Sequence, residues 1–430
     1  MNVSIGKNLN HADIHLVPNE NLYTGVNSFI DYFGNVNSLE EDLLTVASGI
    51  FAADLAIKRE DREQNIRDIT LSIEVVNFHA FDRIKDELRY ALHVLSKDNW
   101  NISFLPRNGQ LTNSIEWSKN EGYVLLFSGG LDSMCAAFKF LKEKKPLILV
   151  SHNTLANHAV EGAQKNIHKV LQDHFSTTIP FFSIRIFGRN KEPYYFPSDT
   201  DRENSQRTRS FLFLTLGALI ARRNNLSRVL FMAENGQFAI HLPLTPARIG
   251  PFSTHTADPE FLNKVENIFK VLLNNDTFQI FNPFLYKTKA EVISVLSDEI
   301  SKYIPLSISC WKASRNVTKH HCGECIPCIS RRIACEFNGY KIDEFVKDIF
   351  SSDLSSLSDE DIGKTNLVDY LEFILKFKDI RPIKIAELYG DFPELFNDFF
   401  NQEDAIKLYN RMSIQSFKVL ENYPQMKKYF

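Results

Sequence analysis

A short apolar strand that breaks into two glycines and reopens as a helix constrains this chain more than any other feature. In YVLLFSGGLDSMCAAFKFL, residues 123–141, Tyr123 to Phe127 predicts a buried strand and Met134 to Leu141 a helix. Gly129 and Gly130 permit a tight turn with close backbone approach, while serine and aspartate favour a helix start. Such a turn leaves N–H groups unpaired and aimed at an anion.

The rhythm continues downstream. LILV (147–150), IPFFSIRIF (179–187) and RVLFMA (228–233) predict further strands. Helices are expected between them, with Val160, Ala163, Ile167 and Val170 inward on one, and others at 209–223 and about 258–273. Short apolar strands alternating with helices predict a doubly wound parallel sheet over residues 121–345, with ligands beyond the carboxyl ends of its strands. Residues 1–120 predict an α+β accessory domain: ITLSIEVV (69–76) alternates as a strand, Ile84, Leu88, Leu92 and Leu95 share a helical face, and Trp100 to Phe104 suggests another strand. The polar SSDLSSLSDEDIGK (351–364) predicts a linker or exposed loop, and residues 346–430 a helical region.

Composition narrows the function. A formal charge of −4 provides no global field for a polyanion, so nucleic-acid binding is not expected. The N-terminus lacks the basic and apolar regions of a secretion signal, and the apolar run 211–221 is too short to span a bilayer. A cytoplasmic chain is expected, where six cysteines are thiols or metal ligands rather than disulfides.

SGGLDS (128–133) matches the Ser-Gly-Gly-x-Asp-Ser loop of the ATP pyrophosphatases. It lacks the Lys-Ser/Thr of the Walker loop and is not the dinucleotide fingerprint. Ser128, Gly129, Gly130, Leu131 and Ser133 are the candidate ATP-phosphate cradle, and Asp132 either fixes the loop or assists Mg²⁺.

In SCWKASRNVTKHHCGECIPCISRR, Cys322, Cys325 and Cys328 form C-x₂-C-x₂-C, with Cys310 twelve residues upstream. Four thiolates complete a closed, structural Zn²⁺ site; His320 or His321 replacing a cysteine, or an iron–sulfur cluster, are the alternatives. Cys135 and Cys335 fall on expected helices and read as small buried residues.

The two motifs in this order resemble the QueC family of 7-cyano-7-deazaguanine synthases. RSFLFLTLGALIA (209–221) resembles the family's Arg-Asn-x-x-Phe-Leu helix, with Arg209 matching and Ser210 replacing Asn. NPFLYKTKAEVI (282–293) resembles its Lys-Thr-Lys-Ala-Glu segment, and CGECIPCISRR its cysteine-rich ending, with Arg331 on the family's arginine. The resemblance covers roughly residues 120–340; the long additions at both ends look like the QatC-type QueC-like proteins of bacterial antiviral defence. It implies an ATP pyrophosphatase fold and adenylation of 7-carboxy-7-deazaguanine. Ammonia attack then gives an amide, and a second activation dehydrates it to a nitrile. No glutaminase pattern is evident, so free ammonia or another amine is expected as nucleophile. A protein amine would yield a conjugate, with partners encoded beside the gene. In place of the family's Tyr-Pro-Asp-Cys-Arg stretch this chain has GPFSTHTADPEFL (250–262), which keeps an Asp-Pro at Asp258 but lacks Cys-Arg.

Other candidates follow from position. Arg207 and Arg209 open an apolar helix against its dipole, so a partner anion is expected, with Arg209 the catalytic candidate. Lys287 and Lys289 flank another helix start, and Lys287 is favoured as the pyrophosphate clamp. Glu234, Asn235 and Asp258 are candidate base ligands; His152 and Asn153, after the second strand, are candidate adenosine contacts. A tRNA-thiolating enzyme and a non-catalytic nucleotide-binding subunit are the alternative readings, and homo-oligomerisation is left open.

Overall fold

The computed structural model describes residues 1–430 other than 10–11, 60–65, 112–119, 155–157, 204, 231–233, 246–254, 314–318, 342–343 and 430. In chain order, β1 (Asn2–Ile5), β2 (Ile14–Leu16), β3 (Leu22–Tyr23), α1 (Val26–Phe33), α2 (Ser38–Ala56), β4 (Asp68–Val75), α3 (Phe78–Ser96) and β5 (Asn99–Pro106) come first. They place a four-stranded sheet in the order β2-β1-β4-β5, every pair parallel. The expected α+β arrangement is therefore corrected to α/β. Long crossovers carrying α2 and α3 lead to the parallel strands β4 and β5, while β1 and β2, joined through residues 6–13, are four and three residues long and too short to show in the sequence.

The next elements are β6 (Tyr123–Leu126), α4 (Leu131–Lys142), β7 (Leu147–Asn153), α5 (His158–Phe175), β8 (Phe181–Arg185), β9 (Phe187–Gly188), α6 (Arg209–Arg223) and β10 (Arg228–Leu230). Then follow α7 (Gly236–Ile240), α8 (Pro259–Leu273), β11 (Gln279–Phe281), α9 (Lys289–Ile293), α10 (Asp298–Ser301) and α11 (Ile326–Phe337). Their sheet runs β11-β10-β6-β7-β8, again all parallel. Order reverses between β6 and β10, so the turn after β6 opens at the switch point where doubly wound sheets bind ligands. A two-stranded antiparallel ribbon, β3 with β9, joins the two regions.

One face of the larger sheet shares an apolar core with the N-terminal region: Val124, Leu126 and Val150 cluster with Phe51, Phe213 and Phe269. A buried polar knot fastens this interface. Asp54 of α2 accepts the Thr208 amide at 3.0 Å, capping the start of α6, and also accepts Arg67 at 2.5 Å, while Asp98 receives Arg59 and Arg67. Arg207 lies in this knot, donating to the Ser96 carbonyl at 3.0 Å, and burial pulls its guanidinium down to about 10. Asp54 and Asp98 are thus anions that face the Arg207 end of α6.

The opposite face packs α4, α9 and α11 through Phe127, Met134, Val292 and Ala334. Helices α12 (Ile362–Lys376), α13 (Pro382–Asp391) and α14 (Gln402–Leu420) complete a third core with Ile326, Ile329 and Ile333 of α11. Leu354 of the polar interval 351–364 joins this core beside Ile349 and Phe350 just ahead of it, while many of its polar residues are exposed and its last residues open α12. No described helix is long and apolar enough to cross a membrane.

Candidate functional site

The turn after β6 closes on itself through its own side chains. The Gly130 amide donates to Ser128 Oγ at 3.2 Å, and Ser133 Oγ donates to the Gly130 carbonyl at 2.9 Å. Gly129 adopts φ +78°, and a Cβ there would meet Gln164 Cγ at 2.9 Å, so the position demands glycine. Helix α4 opens at Gly130 with no side-chain cap, leaving its first amides to an incoming anion.

Asp132 does not face that anion with free oxygens. One oxygen receives Lys289 Nζ at 2.5 Å; the other accepts the Asn235 amide at 3.2 Å and its side chain at 2.7 Å. Both oxygens are engaged inside the protein, as the loop-fixing role requires. Beside it, desolvation and the Asp132 charge push the carboxyl of half-buried Glu234 up to about 8 despite Lys289. A cavity of about 790 Å³, mouth included, is lined by Ser128, Asp132, Glu234, Lys289 and Trp311.

Several expected residues take other places. Lys287 is exposed, whereas Lys289 is 7% exposed and enters the pocket. Thr288 caps α9 in a capping box with Glu291, which turns Lys289 inward and leaves Lys287 outside the helix; the T-x-x-E pattern is the signal that locates it. Asn235 gives its backbone and side-chain N–H groups to Asp132, while its buried Oδ1 has no partner. Asp258 is the N-cap of α8, accepting the Glu260 and Phe261 amides with Pro259 at the first helical position. Residues 250–254 of the segment compared with the family's base-contacting stretch lie outside the described residues. His152 is a core residue, edge-on to Phe51 and Phe213, with Nε2 2.9 Å from the Ile186 carbonyl. Burial and Arg209 hold its imidazole neutral, down to about 3. Asn153 lies in a different, polar pocket beside Thr24, Ser183 and Arg185. Arg209 stacks on Phe213 and donates to the His152 carbonyl at 3.4 Å; its Nε has no partner, and burial draws the guanidinium down to about 10.

A strap from the thiolate cluster completes the site. The Ile308 amide donates to the Gly129 carbonyl, and Arg331, fully buried on α11, holds Ser307 Oγ at 2.8 Å, Ser309 Oγ at 3.2 Å and the Ile304 carbonyl at 2.7 Å. Arg331 resembles a family arginine in sequence, but this grip on residues 304–309 leaves no local pattern. The strap ends at Cys310. Cys310, Cys322, Cys325 and Cys328 are buried, with their sulfurs all within 4.8 Å of one another. Separations of 3.9 Å for Cys322–Cys328 and 4.0 Å for Cys310–Cys325 approach the roughly 3.8 Å expected around one tetrahedral zinc. His321 is not in the cluster; its Nε2 accepts the Ser309 amide at 3.3 Å. The four sulfurs therefore fit a single closed ion, which would anchor the strap.

Fold and site together are those of an α/β protein with parallel sheets, consistent with a PP-loop type fold, with a glycine turn at the switch point and a four-cysteine cluster behind it. Residues 253–339, from the approach to α8 through α11, match the family model of the queuosine biosynthesis protein QueC. The chain is similar to 7-cyano-7-deazaguanine synthase of Aquifex aeolicus (strain VF5), 25% identical over 230 residues, covering 50% of this chain and 97% of that protein. The Pseudoalteromonas translucida (strain TAC 125) synthase is also 25% identical, over 50% of this chain and 94% of its own length. That of Saccharolobus solfataricus (strain ATCC 35092 / DSM 1617 / JCM 11322 / P2) is 23% identical over 72% of this chain and 67% of its length. The matched segment thus resembles the QueC family, and the chain is similar to its 7-cyano-7-deazaguanine synthases at about a quarter of identical residues.

Proposed function

We propose that this chain uses ATP and Mg²⁺ to adenylate the carboxylate of a 7-carboxy-7-deazaguanine-type base. The observation that carries the reading is the uncapped start of α4, walled by Ser128 and Ser133 and faced by the buried Lys289, in a chain similar to 7-cyano-7-deazaguanine synthases. The α4 amides and the two hydroxyls hold the β and γ phosphates. Lys289 compensates charge on the departing pyrophosphate, with Arg209 the second cation of the reading. A carboxylate oxygen attacks the α-phosphorus, the α–β bridging bond breaks, and pyrophosphate leaves. An amine then attacks the acyl carbon, AMP departs with its oxygen, and loss of a proton leaves an amide. With ammonia, a second adenylation on the amide oxygen releases pyrophosphate, and loss of AMP together with both amide N–H protons gives the nitrile.

The regions flanking the QueC-matched segment favour a specialised setting. We read it as antiviral defence in the cytoplasm, with the amine carried by a partner protein. Mass spectrometry tests both forms. With ATP, the carboxylated base and ammonium, the base should become its amide or nitrile. With proteins encoded beside the gene, one should gain the mass of an amide-linked deazaguanine. ATP turnover that leaves both base and proteins unchanged would refute the reading.

A further inference from the structure

A second cavity adjoins the phosphate pocket and shares Phe238, His241 and Trp311 with it. It encloses about 680 Å³, mouth included, between α7, α11 and the C-terminal helices. Its far wall is Tyr370 and Phe373 of α12 with Tyr409 and Met412 of α14, all beyond the segment that matches the QueC family model. The pocket is therefore built jointly by the family segment and by helices outside it.

The walls are fixed. Tyr409 Oη accepts the Leu242 amide at 3.1 Å and donates to the Gln237 carbonyl at 3.2 Å, bracketing α7 from both ends. His241, between them, sits at φ +54°, a left-handed conformation that few side chains adopt without surrounding support. The start of α7 is tied to Asp132 through Asn235, so pocket wall and phosphate loop are registered to each other.

Two observations point to a ligand. Ser330 lines the cavity, is 3% exposed, and its Oγ has no hydrogen-bond partner. A buried hydroxyl without a partner is costly unless a bound molecule supplies one. Trp311 lines both cavities at their junction with 63% of its surface exposed, which leaves its ring open to a flat molecule lying there.

We infer that this cavity seats the ring of the molecule being activated: a planar heteroaromatic carboxylic acid. Its ring lies among Phe238, Trp311 and Phe373, its edge meets Ser330 Oγ, and its carboxylate reaches past His241 to the phosphate loop. Aromatic walls with a single buried hydroxyl suit such a ring. The inference rests on the adenylation reading and adds the place and chemistry of the acid's recognition.

The test uses the full-length, zinc-loaded chain, with α,β-methylene-ATP bound and its affinity measured separately. Titration with 7-carboxy-7-deazaguanine should quench Trp311 fluorescence saturably, and Trp311→Phe should abolish the signal. Ser330→Ala should weaken the acid's binding about fivefold, the loss of one hydrogen bond. Leu244→Trp, at a half-buried lining position, should weaken it tenfold or more by filling the space. Both variants should keep the nucleotide affinity and the wild-type melting temperature. Unchanged acid affinity in both variants, or nucleotide binding with no binding of the acid, would overturn the inference while sparing the ATP site. Failure to bind nucleotide at all would instead bring down the adenylation reading and this inference with it.

Discussion

The backbone amide of Ile308 donates to the carbonyl of Gly129 over 3.0 Å, joining the strap that leads to Cys310 to the phosphate turn. Arg331 maintains that contact from behind by gripping residues on both sides of Ile308. Arg331→Met should lose several charge-assisted hydrogen bonds, about 3 kcal/mol or more of stability, and should weaken ATP binding. Arg331→Lys should recover part of both. Denaturant titration with parallel nucleotide titration distinguishes this from a purely structural role, which would leave the affinity of the folded fraction untouched.

The two lysines around Thr288 should behave oppositely. Lys289→Met leaves Asp132 buried without its cation, a change that typically costs about 3–5 kcal/mol, and removes a positive charge from the phosphate pocket. Activity should fall at least about hundredfold. Lys287→Ala removes an exposed side chain and should alter stability by no more than about 0.5 kcal/mol, with unchanged turnover. Steady-state kinetics on the pair decides between them.

Glu234 gives the unliganded chain a pH signature. Its folded carboxyl titrates near 8 rather than its ordinary 4.5, because burial and Asp132 disfavour the charge. Between those values the folded chain holds a proton that the unfolded chain has lost. Its contribution to stability is therefore fully present below about 4.5 and falls as pH rises to about 8, by up to about 1.4 kcal/mol per pH unit. Glu234→Gln should flatten this part of the profile in thermal melts. An unchanged slope would mean that Glu234 is ionised in the folded protein.

Metal removal should reach the nucleotide site through the same strap. Chelation, or Cys322→Ser, releases Cys310 two residues after Ile308 and should lower the melting temperature. ATP affinity should fall with it, and both should return on adding zinc to the chelated wild type. Affinity unchanged in the folded, metal-free chain would uncouple the two sites.

Local signals carried much of this architecture, and tertiary partners decided what they did not. Strand β6, the glycine turn, helix α6 with its bounds and the thiolate spacing were readable because each depends on neighbours within one turn or one strand. Asp258 was equally local: Asp-Pro-Glu before an apolar run is a capping signal, and the substrate role given to it passed over that chemistry. The use of Asn235 on Asp132 spans 103 residues and has no local trace. His152 reads in the sequence as lying just past a strand, where ligand contacts sit, but β7 runs on through Asn153, and α2 and α6 cover His152 with Phe51 and Phe213, a burial that the packed N-terminal region helps create. The second cavity was invisible for the same reason, since its walls come from α7, α11, α12 and α14.

The phosphate turn is the central claim, and the fate of ATP tests it most directly. Purified, zinc-loaded chain should convert ATP and 7-carboxy-7-deazaguanine to equal amounts of AMP and pyrophosphate, and Ser133→Ala should slow this strongly without unfolding the protein. Release of ADP and phosphate, or no nucleotide binding at millimolar ATP by the folded chain, would contradict the account.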